Sequence, residues 1–147
     1  MRFLALDLGD KRTGLALGDD ETRLASPYKL IEHPMAPGDA LLSALVRVIE
    51  QERPDALVVG LPLNMDDGSE GPQAKKVRAF AERLARAAGL PVHLQDERLT
   101  SVDADAALAG TGLTHKQKKA RRDALAAAAI LRDFLARWPG PEGSSRC

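Results

Sequence analysis

Phe3-Leu4-Ala5-Leu6-Asp7-Leu8, then Gly9-Asp10-Lys11-Arg12, then Thr13-Gly14-Leu15-Ala16-Leu17-Gly18, is the stretch whose reading decides the fold. The first run is apolar at consecutive positions, so it reads as a strand over residues 2–9 with both faces buried, central in a sheet. Gly9 to Arg12 supplies a tight turn, and residues 13–18 return as a second strand, closing a hairpin. Asp7 ends the first apolar run. A carboxylate at the border of a core is costly unless hydrogen bonds, a cation or a metal compensate it.

Two further acids stand at similar borders. Glu97 follows the apolar run that begins Val92-His93-Leu94. Asp123 opens the stripe of a long alanine-rich helix, because Ala127, Ile130 and Phe134 fall on its face at helical spacing. Magnesium and manganese take oxygen ligands and keep several waters, so a few carboxylates suffice to hold them. Two such ions about 4 Å apart clamp an in-line phosphoryl displacement. Asp7, Glu97 and Asp123 are therefore the candidate metal ligands and catalytic residues. Taken singly, each acid also reads as a cap, a salt-bridge partner or a surface charge.

Placement of the basic residues matters because formal net charge is zero, whereas a protein held to nucleic acid by overall charge is usually basic. Lys116, Lys118, Lys119, Arg121 and Arg122 run directly up to Asp123. Lys11 and Arg12 follow Asp7, and Arg98 follows Glu97. Such a local patch positions a phosphate backbone without reading bases; the plainer reading is a solvated helix face. One Trp, one Tyr and three Phe make no stacking platform for bases. The loop from Gly60 to Gly68 follows a strand end, where sites gather in sheets with helical crossovers. Asn64 is its candidate contact to a phosphate or base, and Asp66 and Asp67 read as turn formers. His33, His93 and His115 have no spacing that makes a zinc site and read as structural or surface residues.

The rest of the 147-residue chain supports one domain. Residues 23–32 read as a third strand containing Pro27, and 40–50 as a helix with Leu41, Leu42, Leu45, Val46 and Ile49 inward. Ala56 to Gly60 reads as a short buried strand, 73–88 as a helix and 91–95 as a strand. Thr100-Ser101-Val102-Asp103 and Thr114-His115-Lys116-Gln117 have capping-box spacing, which predicts two more helices, the second running to about Arg137. The expectation is an α/β chain with one mixed sheet and helices packed on it, a domain over 1–137 and a flexible tail over 138–147. The single cysteine, Cys147, excludes a disulfide framework within the chain. No signal-like or membrane-spanning run is visible, and a cytoplasmic protein is expected.

Four linked motifs closely resemble the YqgF/RuvX family: Asp7-Leu8-Gly9 with Lys11-Arg12-Thr13-Gly14; Val59 through Met65; Asp96-Glu97-Arg98-Leu99-Thr100-Ser101; and Asp123 with Ala127-Ala128 and Ile130-Leu131. The resemblance runs to about residue 136. It implies an RNase H-like fold, a five-stranded mixed sheet flanked by helices. It also implies a nuclease using Mg2+ or Mn2+, acting on the 5′ end of the small-subunit (pre-16S) ribosomal RNA precursor or on Holliday junctions. Asp7, Glu97 and Asp123 match the family's acidic triad. Lys11, Arg12, Asn64, Arg98, Thr100 and Ser101 match its other motif positions. The acidic stretch Asp66-Asp67-Gly68-Ser69-Glu70 departs from what a phosphate-facing loop calls for. The expected partners are structured RNA or branched DNA and no membrane, with the protein a monomer or homodimer. Two rivals stand beside this: an inactive binding module of the same fold, and an ATP-using phosphotransferase, since Asp-Leu-Gly after a first strand recurs in actin-like kinases.

Overall fold

The computed structural model describes residues 1–97 and 115–139; over 115–121 it describes the helix backbone. Its elements are β1 (Arg2–Leu8), β2 (Thr13–Asp19), β3 (Ala25–Ile31), α1 (Asp39–Glu52), β4 (Ala56–Leu61), α2 (Pro72–Ala88), β5 (Val92–Asp96) and α3 (His115–Arg137). The strands form one sheet in the order β3-β2-β1-β4-β5. β1 to β3 run antiparallel, as the hairpin turns require. β4 and β5 run parallel to β1, because α1 and α2 carry the chain back between strands. β1 is thus the central strand. β4, beside it, is buried at every position, as expected of a strand covered on both faces.

Period two along the strands divides the core. Leu4, Leu6, Leu15, Leu57 and Val59 face α1 and α2, whereas Phe3, Ala5, Ala16, Ala56 and Val58 face α3. α3 meets that second face with Ala127, Ala128, Ile130, Leu131 and Leu135. Both surfaces are unusually small in side chain. β2 presents Gly14, Ala16 and Gly18 toward α3, and α3 answers with buried alanines at 124 and 126–129. Helix and strand therefore approach closely. Leu131, fully buried on this helix, anchors it; Leu131→Ala removes about 2–5 kcal/mol.

α1 buries Leu41, Leu45, Val48 and Ile49. The sequence pattern favours Val46 over Val48, but Val46 lies at the flank because the true stripe drifts along a 3.6-residue period. Arg53 closes α1 in the left-handed region, its N–H on the carbonyl of Ile49, and Pro54 prevents continuation. α2 buries Ala74, Val77, Phe80, Ala81 and Leu84, starts on Pro72 and ends at Gly89. The helix expected from Thr100 to Gly110 lies outside the described residues. Trp138, placed in the tail by the sequence pattern, packs its ring on Phe3, Phe134 and His93, and its Nε1 donates to Asp20 at 3.2 Å. The few aromatic rings are thus used in packing. Among the described residues no helix is long and apolar enough to cross a membrane.

Candidate active site

β1, β4 and β5 are parallel, so their C-terminal ends lie together. Asp7 is the last α3-facing position of β1 before the turn, because alternate residues Phe3 and Ala5 share that face. Glu97 stands one residue beyond β5. Its backbone N–H donates to the carbonyl of Leu61 at 3.2 Å, which extends the β4–β5 pairing by one step. Asp123 comes from the N-terminal half of α3, which crosses the same face. Its main chain lies against Gly14, the residue directly opposite Asp7 in β2.

Glu97 and Asp7 are hydrogen-bonded to each other. Burial pushes the Asp7 carboxyl up to about 6; the bond from Glu97 pulls it back, and the nearby Asp123 charge raises it. Burial pushes Glu97 up to about 8, with the Asp7 charge, their hydrogen bond and Asp96 adding to it. Two carboxyl groups in contact at this half-buried place cannot both ionise cheaply, and each raises the cost of charging the other.

Asp123 faces the turn. Its Oδ2 lies 3.6 Å from Nε of Arg12, and the two side chains are 29% and 31% exposed. It stands nearer the rim than the core-facing stripe predicts. Asp7, Gly9, Asp10, Lys11, Arg12 and Asp123 line one cavity of about 330 Å³. A larger hollow of about 430 Å³ runs along β5 from Val92 to Gln95, against Phe134, Arg137 and Trp138 of the C-terminal end of α3 and just beyond it, and no carboxylate lines it among the described residues.

Among the described residues no group of three or more His, Cys, Asp or Glu side chains is arranged to hold an ion as it stands. The donor set nevertheless fits a hard divalent cation. Its donors are carboxylate oxygens on a strand end, a strand extension and a helix. Two of them are in contact, and a divalent charge at that point neutralises both, which one proton does only in part.

The structure thus brings Asp7 and Glu97 into contact, sets Asp123 in range of Asp7, and adds Lys11 and Arg12 to the same cavity. Arg122 is exposed beside Asp123. Asn64 is engaged inside its own loop: Nδ2 donates to Oγ of Ser69 at 2.9 Å, and Asp67 accepts the Ser69 N–H. Glu70 is tied to Arg78 through two hydrogen bonds, which offsets part of that loop's acidity. Arg98, Thr100 and Ser101 lie outside the described residues, as do the side chains of Lys116, Lys118, Lys119 and Arg121. His93 is half-buried in the aromatic cluster, where burial lowers its pKa. Asp10 was missed from sequence; its place three residues after Asp7 in a tight turn was the available signal.

The RuvX family model, described as Holliday junction resolvase, matches residues 1–137. A protein of Anaeromyxobacter sp. (strain Fw109-5) named "Putative pre-16S rRNA nuclease" is 47% identical over 135 residues, spanning 92% of this chain and 96% of that protein. One of the same name from Maridesulfovibrio salexigens is 42% identical over 137 residues, spanning 93% and 99%. Among solved structures, RuvC of Thermus thermophilus superposes with a TM-score of 0.55 at 21% identity, covering 93% of this chain and 96% of that one. The fowlpox virus resolvase, solved with Holliday junction DNA, superposes with a TM-score of 0.57 at 11% identity, covering 92% and 97%. With its five-stranded mixed sheet, the fold is RNase H-like.

Proposed function

The chain belongs to the RuvX family, and from that membership we propose that it is a metal-dependent nuclease that processes the 5′ end of pre-16S ribosomal RNA in the cytoplasm. The observation that carries the chemistry is the meeting of the Asp7 and Glu97 carboxyl groups at the sheet end, within the field of Asp123. Relatives at 47% and 42% identity with the ribosomal RNA name support the substrate.

Asp7, Glu97 and Asp123 are the residues that would hold magnesium or manganese. Bound there, the ions supply the charge that activates water and neutralises the leaving oxygen. Asp7, on the rigid central strand, fixes the centre. Glu97 gives up its proton on loading. Arg12 and Lys11, on the cavity wall, take the phosphate of the scissile bond and orient it. Water attacks phosphorus in line, the P–O3′ bond breaks, and the 3′ oxygen leaves and takes up a proton.

The family description favours a second reading, cleavage of four-way DNA junctions. Purified protein with manganese, offered labelled single-stranded RNA, precursor ribosomal RNA and four-way junctions side by side, separates the two. Cleavage of the precursor is expected. Cleavage of the junction alone, at symmetric positions, reverses the preference. Asp7→Asn is expected to abolish cleavage and keep binding; unchanged cleavage removes Asp7 from the mechanism. Binding by the wild type without any cleavage identifies an inactive binding module.

A further inference from the structure

Asp7 is flanked across the sheet by glycine on both sides. Gly14 is its partner in β2. Gly60 of β4 lies one step past the Leu6–Val59 pair, hence beside Asp7. Both face α3, since Ala16 and Val58, two residues away on their strands, do so. A row Gly14–Asp7–Gly60 therefore crosses the end of the sheet with one side chain in the middle.

Neither glycine is there for backbone freedom; each sits in an ordinary strand. Each is there for what lies above it. A Cβ on Gly60 would come within 2.4 Å of Oε2 of Glu97 and 2.5 Å of Cδ1 of Ile130. A Cβ on Gly14 would come within 2.0 Å of the main-chain oxygen of Asp123 and 3.0 Å of the N of Ala124. The Glu97 carboxylate thus lies flat over Gly60 to reach Asp7, and the α3 main chain rests on Gly14 to bring Asp123 to the same point. A single methyl group at either position occupies space the acids need.

We propose that Gly14 and Gly60 are positioning residues of the nuclease site: they set, by absence of a side chain, the distance of Asp123 and Glu97 from Asp7. This rests on the cation-binding reading of the three acids. The two positions act differently. At Gly60 the obstacles are the ends of two side chains, Glu97 and the fully buried Ile130; the half-exposed carboxylate is the one with room to swing away, so a methyl displaces it first. At Gly14 the obstacle is helix backbone, so a methyl lifts the N-terminal half of α3.

The test is manganese(II) binding without substrate, followed by electron paramagnetic resonance, with circular dichroism to verify folding. Gly60→Ala is expected to weaken manganese about tenfold or more while keeping the wild-type spectrum. Glu97→Asp shortens the obstructed side chain. If the proposal holds, its effect and that of Gly60→Ala are less than additive, because the shorter acid no longer meets the methyl. Additive effects overturn it. Gly60→Ala combined with Ile130→Val removes the other atom the methyl meets; full recovery of affinity in this variant alone assigns Gly60 to core packing and also overturns it. The same pair serves if Gly60→Ala by itself does not fold. Wild-type protein that fails to bind manganese defeats the cation reading itself, a result distinct from normal binding by Gly60→Ala, which defeats only the glycine inference.

Discussion

The carboxyl groups of Glu97 and Asp7 meet within hydrogen-bonding reach, across the junction where β5 ends beside β4 and β1. Two acids 90 residues apart in sequence stand together at a half-buried sheet end, where each carboxylate charge raises the cost of the other. That arrangement stores protonation energy, and the first two predictions read it out.

The cation-free protein is expected to lose stability as pH rises. Asp7 and Glu97 titrate from 3.8 and 4.5 when unperturbed to about 6 and about 8 in the fold. Between those limits the folded chain binds more protons than the unfolded chain. The contribution is therefore fully present below about pH 4 and is lost as pH passes about 6 and then about 8, on the order of a few kcal/mol in all. Urea unfolding in the presence of a chelator measures it, and Glu97→Gln flattens the curve. A flat wild-type curve contradicts the raised pKa of the two acids.

Cation loading is expected to expel a proton. Near neutral pH, manganese binding should release about one proton, and affinity should rise with pH up to the Glu97 titration. Calorimetry in buffers of different ionisation enthalpy counts the protons. Affinity independent of pH places the ion elsewhere.

Arg12→Ala is expected to separate binding from stability. Its ion pair with Asp123 is open to solvent and 3.6 Å long, so its loss costs at most about 1 kcal/mol of folding stability. Nucleic-acid affinity should fall, and its dependence on salt should become shallower by about one phosphate contact. Affinity and salt slope equal to wild type exclude Arg12 from the substrate path.

Thr13→Val is expected to be neutral or to stabilise by about 1 kcal/mol. Thr13 is fully buried, opposite Leu8 on the α1 and α2 side of the sheet, and its Oγ1 has no hydrogen-bond partner among the described residues. Valine has the same shape without the orphan hydroxyl. Destabilisation of more than about 1 kcal/mol by urea titration implies a partner for that hydroxyl.

Much of the fold was legible because one-dimensional patterns carry it. The unbroken apolar run around Leu4 predicted a central strand, the alanines after Asp123 predicted a close-packed helix, and Pro54 and Pro72 marked helix boundaries correctly. Asp7 and Asp123 stood out as acids where apolar residues were expected. What stayed hidden depends on pairs distant in sequence. The Arg12–Asp123 contact spans most of the chain. The engagement of Asn64 with Ser69 depends on how a loop closes on itself. A residue that acts by lacking a side chain, such as Gly60, leaves only a letter that elsewhere signals a turn.

Beside Asp123, α3 rests on β2 through alanine methyl groups and bare glycine backbone, and this constrains anyone wishing to make a sturdier variant. Replacing interior alanines by larger residues is a common route to thermostability. On this helix Ala127 is fully buried against the sheet, so a valine there is expected to push α3 outward, and Asp123 one turn earlier with it. Heat resistance sought from that layer would be exchanged for turnover, so engineering effort belongs on the opposite layer, around Val46 and Ala88, where added bulk leaves the acids untouched.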